Sequence, residues 1–249
     1  MIKDNTTNNS LFKNYNINNN NIFVKNVVSM LREYVINKKL LKWKNYIDSN
    51  LINLLGDKPE GNIYTKHMTV VPNNLMVPKQ KNIANLLLNK NFCNNNAKNE
   101  KLNVLEIGFN GGFSALLMLL TNEDINFTAV DINEHSYVVP CFNKIKTNYN
   151  NISLILESSE TALDKLIEQN LKYDIIHIDG DHNLPGATRD MEKCIKLSKS
   201  GTIIIFDDTN LNCLNKLCDK YVELSILKNY DNLFFTECTT YKHRFLEKI

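Results

Sequence analysis

Two short acidic runs carry the densest chemistry in this chain, Asp179-Gly180-Asp181-His182 and Asp207-Asp208-Thr209-Asn210. Each follows an apolar stretch, near 173–178 and 201–206, that reads as a buried strand. In an open parallel sheet, ligands bind beyond the carboxyl ends of the strands. If the two strands are neighbours, four carboxylates and one imidazole meet on one edge. Carboxylates crowded together repel one another and raise their own pKa values. A hard divalent cation relieves that repulsion most simply, because Mg²⁺ or Ca²⁺ prefers oxygen ligands. The alternative is that these Asp residues cap the loops and helices that follow them. His177 lies within its strand and reads as a buried, satisfied residue.

A second constellation lies upstream, in KLNVLEIGFNGGFS (101–114). An apolar strand runs into a turn rich in glycine (Gly108, Gly111, Gly112), and a helical apolar pattern then resumes at Phe113, Ala115, Leu116 and Leu119. Strand, glycine turn and helix form the first half of a nucleotide-type binding unit, in which the backbone passes close to a ligand. About two dozen residues further on, FTAVDIN ends a second strand on Asp131, placed to accept hydrogen bonds from ribose hydroxyls. The alternative is a glycine turn that merely joins strand to helix. The spacing is not the G-x-G-x-x-G of a nicotinamide site, which argues against an oxidoreductase.

Elements must position these groups. Residues 1–21 are Asn-rich with little apolar periodicity and read as a disordered tail. Residues 22–63 read as a helical extension, with two or more helices between Ile22 and Leu55. From residue 64 onward the chain reads as one domain. Strands are expected near 102–107, 126–131, 152–156, 173–178, 201–206 and 233–238, with a further one near 241–246. Helices are expected near 112–121, 136–148, 159–169, 185–198 and 211–221. This alternation predicts an α/β fold: a doubly wound, mostly parallel, seven-stranded Rossmann-like sheet closed by a C-terminal antiparallel hairpin.

Composition narrows the partners. Net charge is +2 over 249 residues, with Lys scattered rather than striped, so no footprint for a nucleic acid is present. No apolar run is long enough for a membrane span. Six Cys without a C-x-x-C pair fit reduced thiols in a cytoplasmic setting.

Glu106-x-Gly108-x-Asn110-x-Gly112 resembles motif I of the class I S-adenosylmethionine-dependent methyltransferases, with Asn110 at a usual glycine; Asn tolerates positive φ better than most residues. The acidic strand ends resemble those of the metal-dependent small-molecule O-methyltransferases of the catechol and caffeoyl-CoA type. IDGDH (178–182) is shared with a wider set, some acting on sugars. The resemblance spans roughly residues 64–249. It implies that Glu106, Gly108, Asn110, Gly112, Asp131, Ser158, Ser159 and Asp179 hold S-adenosylmethionine. It implies a divalent cation, Mg²⁺ foremost, on Asp179, Asp207 and Asp208, with Asp208 standing where Asn is usual. The family's catalytic Lys falls on His182, which could act as the base beside Asp179 or, alternatively, only start a helix and bond Asp181. MVPKQ (76–80) resembles the segment that leans over the cofactor.

The function implied is O-methylation of a small-molecule hydroxyl, on an aromatic diol or a sugar. The rival is a cofactor-binding partner subunit without turnover. The N-terminal helices are expected to shape the acceptor pocket or to pair two copies of the chain.

Overall fold

The computed structural model describes residues 22–56, 77–93, 101–232, 234–239 and 241–249. Strands β1 (Leu102–Ile107), β2 (Ile125–Asp131), β3 (Ile152–Leu156), β4 (Tyr173–Ile178), β5 (Ser198–Phe206), β6 (Leu227–Asn229) and β7 (Arg244–Lys248) form one sheet. Those richest in buried Val, Ile and Leu belong where both faces are covered. β1, β4 and the end of β5 accordingly occupy the centre of the order β3-β2-β1-β4-β5-β7-β6. β1 to β5 pair in parallel, and β7 runs antiparallel to both β5 and β6.

Among the described residues, seven α-helices cover the sheet: α1 (Ile22–Tyr46), α2 (Val77–Cys93), α3 (Phe113–Thr121), α4 (Val138–Lys146), α5 (Ser159–Glu168), α6 (Leu184–Leu197) and α7 (Asn212–Glu223). Alternation along β1 divides the core between the two faces. Val104 packs with Trp43 of α1, Leu87 of α2, Leu116 of α3 and Ile145 of α4. Leu105 and Ile107 pack on the other side with Leu163 of α5, Met191 of α6 and Leu217 of α7.

Two elements differ from the expectation. The stretch 22–55 is not two separate helices. α1 runs directly into a π turn (Ile47–Leu51) and a 3-10 turn (Ile52–Leu54), because no glycine or proline interrupts it before Gly56. This keeps Ile47, Leu51 and Leu55 in the shared core. The strand expected at 233–238 is also absent among the described residues, and β6 lies earlier, at Leu227–Asn229. The alternating segment instead finds its backbone partners on α2. Asn82 Nδ2 donates to the Thr236 carbonyl (2.8 Å), Thr236 N–H donates to Asn82 Oδ1 (2.7 Å), and Asn85 Nδ2 donates to the Phe234 carbonyl (2.9 Å). Side-chain amides thus replace a strand ladder.

The predicted tail at 1–21 and the join at 57–76 lie outside the described residues. Among the described residues no helix is long and apolar enough to cross a membrane. α1 leaves Met30, Tyr34 and Leu41 exposed, the surface on which the expected self-association would fall.

Candidate active site

The loop after β1 forms the rim of a cleft of about 600 Å³, a size suited to a small-molecule ligand. Asn110 takes a left-handed φ of 50°, as its side chain allows. Its N–H donates to Asp131 Oδ2 (2.8 Å), and Asn133 N–H donates to Asp131 Oδ1 (2.7 Å). Asp131 therefore ties the loops after β1 and β2 together at the cleft wall. Its carboxylate keeps lone pairs for further donors. Ser158 caps α5 by accepting from Thr161 N–H, and it lines the same cleft with Ser159.

Two glycines of the turn are fixed by close packing. Gly108 has φ +89°, and a Cβ there would lie 2.0 Å from the Asp179 carbonyl oxygen. At Gly112, φ +72°, a Cβ would strike the Phe109 ring at 2.4 Å. At both positions the protein's own packing already leaves no room for a side chain.

Glu106 ends up at the back of the cleft rather than on its lining. It is fully buried behind the cleft wall, where Oε1 accepts from Ser114 Oγ (2.5 Å) and meets His177 Nδ1 (2.9 Å). Burial raises its pKa. Ser114 is the residue of that pair that reaches the cleft.

The ends of β4 and β5 are indeed neighbours, but their carboxylates divide into two groups. Asp207 turns inward and is almost fully buried. It forms an ion pair with Lys79 of α2, and His177 Nε2 lies 3.7 Å from its Oδ2. Burial alone would raise the Asp207 carboxyl, yet Lys79 and His177 hold it well below the usual range. Asp208, at φ 52°, turns the other way and meets His182 Nε2 at 3.0 Å. Asp179 lies 3.8 Å from the same imidazole nitrogen. Burial and the neighbouring Asp207 charge raise Asp179.

Three expectations change accordingly. Asp179, Asp207 and Asp208 do not converge as one ligand set. The close clusters are His177 with Asp179 and Asp207, and Asp179 with His182 and Asp208. Asp181 belongs to the turn before α6, where its Oδ1 accepts from Asn183 N–H (2.9 Å). His182 lies against Asp179 and Asp208 rather than Asp181. Its contacts with Asp179 and Asp208 raise its pKa to about 10.

Sequence reasoning passed over Lys79, Trp43, Ser114 and His135, all of which line the cleft. Trp43 of α1 donates from Nε1 to the Phe113 carbonyl (2.7 Å), which brings the N-terminal extension to the site. A signal for Lys79 existed: it shares a helical stripe with the buried Ile83 and Leu87, and a lone cation there needs an anion.

A family model described as a methyltransferase domain matches residues 105–209, the stretch holding the glycine loop, Asp131, the Ser158–Ser159 pair and both acidic strand ends. Over this stretch, somewhat under half of its length, the chain is similar to a methyltransferase domain. Solved structures share its architecture. A Klebsiella pneumoniae protein provisionally named an O-methyltransferase is 15% identical, with TM-score 0.56, over 82% of this chain and 89% of that one. A Staphylococcus aureus protein provisionally named a caffeoyl-CoA O-methyltransferase is 14% identical, with TM-score 0.55, over 88% and 99%. A Bacillus cereus O-methyltransferase in complex with S-adenosylhomocysteine is 15% identical, with TM-score 0.51, over 87% and 90%. At these identities the likeness is one of fold. Among curated protein sequences no match is found.

Proposed function

We propose that this chain methylates a hydroxyl oxygen of a small molecule, with S-adenosylmethionine as donor. The observation that carries the proposal is Asp131, fixed between the Asn110 and Asn133 amides at the wall of a cleft that also holds Asp179 and Asp208. A ribose-accepting carboxylate and a proton-accepting carboxylate thus share one cavity.

The cofactor, when bound, supplies an electrophilic methyl group on sulfur. The remaining work falls to the chain. Asp131 would accept from the ribose hydroxyls, and Ser158 and Ser159 would border the adenine. Asp179 would take the acceptor's hydroxyl proton. Trp43 and Ile83, from α1 and α2, would shape the acceptor side of the cleft. Holding oxygen and methyl in line would supply much of the rate. An aromatic diol and a sugar or sugar nucleotide are the two acceptor classes that the Asp179–His182 motif suggests.

A cofactor-binding subunit without turnover is the competing reading, favoured by the Lys79–Asp207 pair that closes part of the acidic edge. Calorimetry with S-adenosylhomocysteine, in excess Mg²⁺ and again in EDTA, tests the binding claim. Absence of binding in both conditions would sink it. Methyl transfer to a catechol or a sugar nucleotide would reject the competing reading.

A further inference from the structure

The case for a divalent cation at this edge rests on uncompensated carboxylate charge. The structure compensates that charge from within the chain. Asp207 meets the Lys79 ammonium and has His177 Nε2 3.7 Å away. Asp208 and Asp179 lie 3.0 and 3.8 Å from His182 Nε2. Four carboxylates, counting Glu106 against His177, are thus set against one ammonium and two imidazoles.

The Lys79–Asp207 pair is nearly closed to solvent, with 10% and 1% of the two side chains exposed. A metal ion bonded to Asp207 would have to displace the ammonium, and two cations at contact in so dry a place repel strongly. The donor set Asp179, Asp207 and Asp208 therefore does not fit a divalent cation. Lys79 nonetheless lines the cleft. An ammonium has three donors, so one can hold Asp207 while another faces a ligand.

We infer that the Lys79 ammonium stands where the family resemblance would put a metal ion, and that acceptor binding and methyl transfer here need no divalent cation. The inference rests on the methyltransferase reading and assigns Lys79 to the acceptor oxygen. In the transfer step the acceptor O–H bond breaks and its proton passes to the Asp179 carboxylate. The oxygen's electron pair forms the new O–CH₃ bond. The methyl–sulfur bond breaks with its electron pair retained by sulfur, which leaves as a neutral thioether. Lys79 keeps its protons and stabilises the oxygen as it gains negative charge.

Mn²⁺ is the probe, titrated into the full chain and followed by electron paramagnetic resonance, with S-adenosylhomocysteine calorimetry on each protein. The wild type should hold no stoichiometric Mn²⁺ below about 1 mM, whereas Lys79→Met should bind one ion at least about tenfold more tightly. Lys79→Arg, which keeps the charge, should exclude Mn²⁺ like the wild type. Micromolar Mn²⁺ binding by the wild type, not tightened in Lys79→Met, overturns the inference. Should Lys79→Met fail to fold, the wild type and Lys79→Arg still decide, since tight binding by both refutes it. Normal S-adenosylhomocysteine binding alongside tight wild-type Mn²⁺ binding removes this inference alone. Loss of S-adenosylhomocysteine binding in the wild type removes the proposed function, and this inference with it.

Discussion

Lys79 on α2 and Asp207 at the end of β5 form a buried ion pair at the floor of the cleft, tying a helix from the first third of the chain to the central sheet. Removing one partner leaves the other charged and dry, which costs far more than the pair itself contributes. Asp207→Ala should therefore destabilise the fold by about 3–5 kcal/mol, and Lys79→Met by a similar amount. The double variant Lys79→Met/Asp207→Ala should recover most of that loss, because no uncompensated charge remains. Guanidinium unfolding of all four proteins gives the coupling energy. Additive losses would show that the pair is not a unit.

Asp131 offers a test confined to the cofactor. Both of its oxygens already accept a backbone N–H, one from each flanking loop. Asn in its place has a single acceptor oxygen and no charge. Asp131→Asn should weaken S-adenosylhomocysteine binding by about tenfold to a hundredfold, the worth of hydrogen bonds to a charged group. Calorimetry measures this directly, and unchanged affinity would remove Asp131 from the cofactor site.

Gly108 and Gly201 separate steric from conformational cost. Both have left-handed φ, +89° and +81°. A Cβ at Gly201 meets nothing within 4 Å, so Gly201→Ala should cost about 1–2 kcal/mol from backbone strain alone. A Cβ at Gly108 would overlap the Asp179 carbonyl oxygen, so Gly108→Ala must also spread β1 from β4 and should cost more than about 3 kcal/mol. Thermal melts of the two variants give the comparison. Equal shifts would mean that the contact between the strand ends relaxes freely.

The central strands were legible because β1, β4 and the end of β5 are buried on both faces and so are rich in Val, Ile and Leu. Asp131 was legible because its distance from the glycine turn is set by one βαβ unit. The short edge strand β6 was not, since Leu227–Asn229 is three residues long with only Leu227 buried. The alternation around Thr236 suggested a strand, but its partners are amides on α2, a long-range pairing that no local pattern encodes. The partners of the acidic strand ends were hidden for the same reason. Adjacency of Asp207 and Asp208 suggested a shared task, but positive φ at Asp208 sends the two side chains to different neighbours. Their cations come from Lys79 and His182, on separate parts of the chain.

His243 sets an acid limit on stability. It lies beneath α2, its Nε2 3.3 Å from Asn82 Nδ2 and 3.8 Å from Cys238 Sγ, with Phe245 against the ring. Burial lowers its pKa to about 3, and the nearby Lys79 and His177 charges act in the same direction, against Asp207. The unfolded chain binds this proton at about pH 6.5, well before the native state does. A depressed native pKa therefore contributes stability that is complete above pH 6.5 and is lost as pH falls toward 3. The loss should be on the order of 3–5 kcal/mol. Acidic residues add their own losses at low pH, so the informative quantity is the difference between wild type and His243→Gln. Urea unfolding between pH 7 and pH 4 should show the wild type losing stability faster than the variant over that window. Parallel curves would mean that His243 takes up its proton without leaving its place in the core.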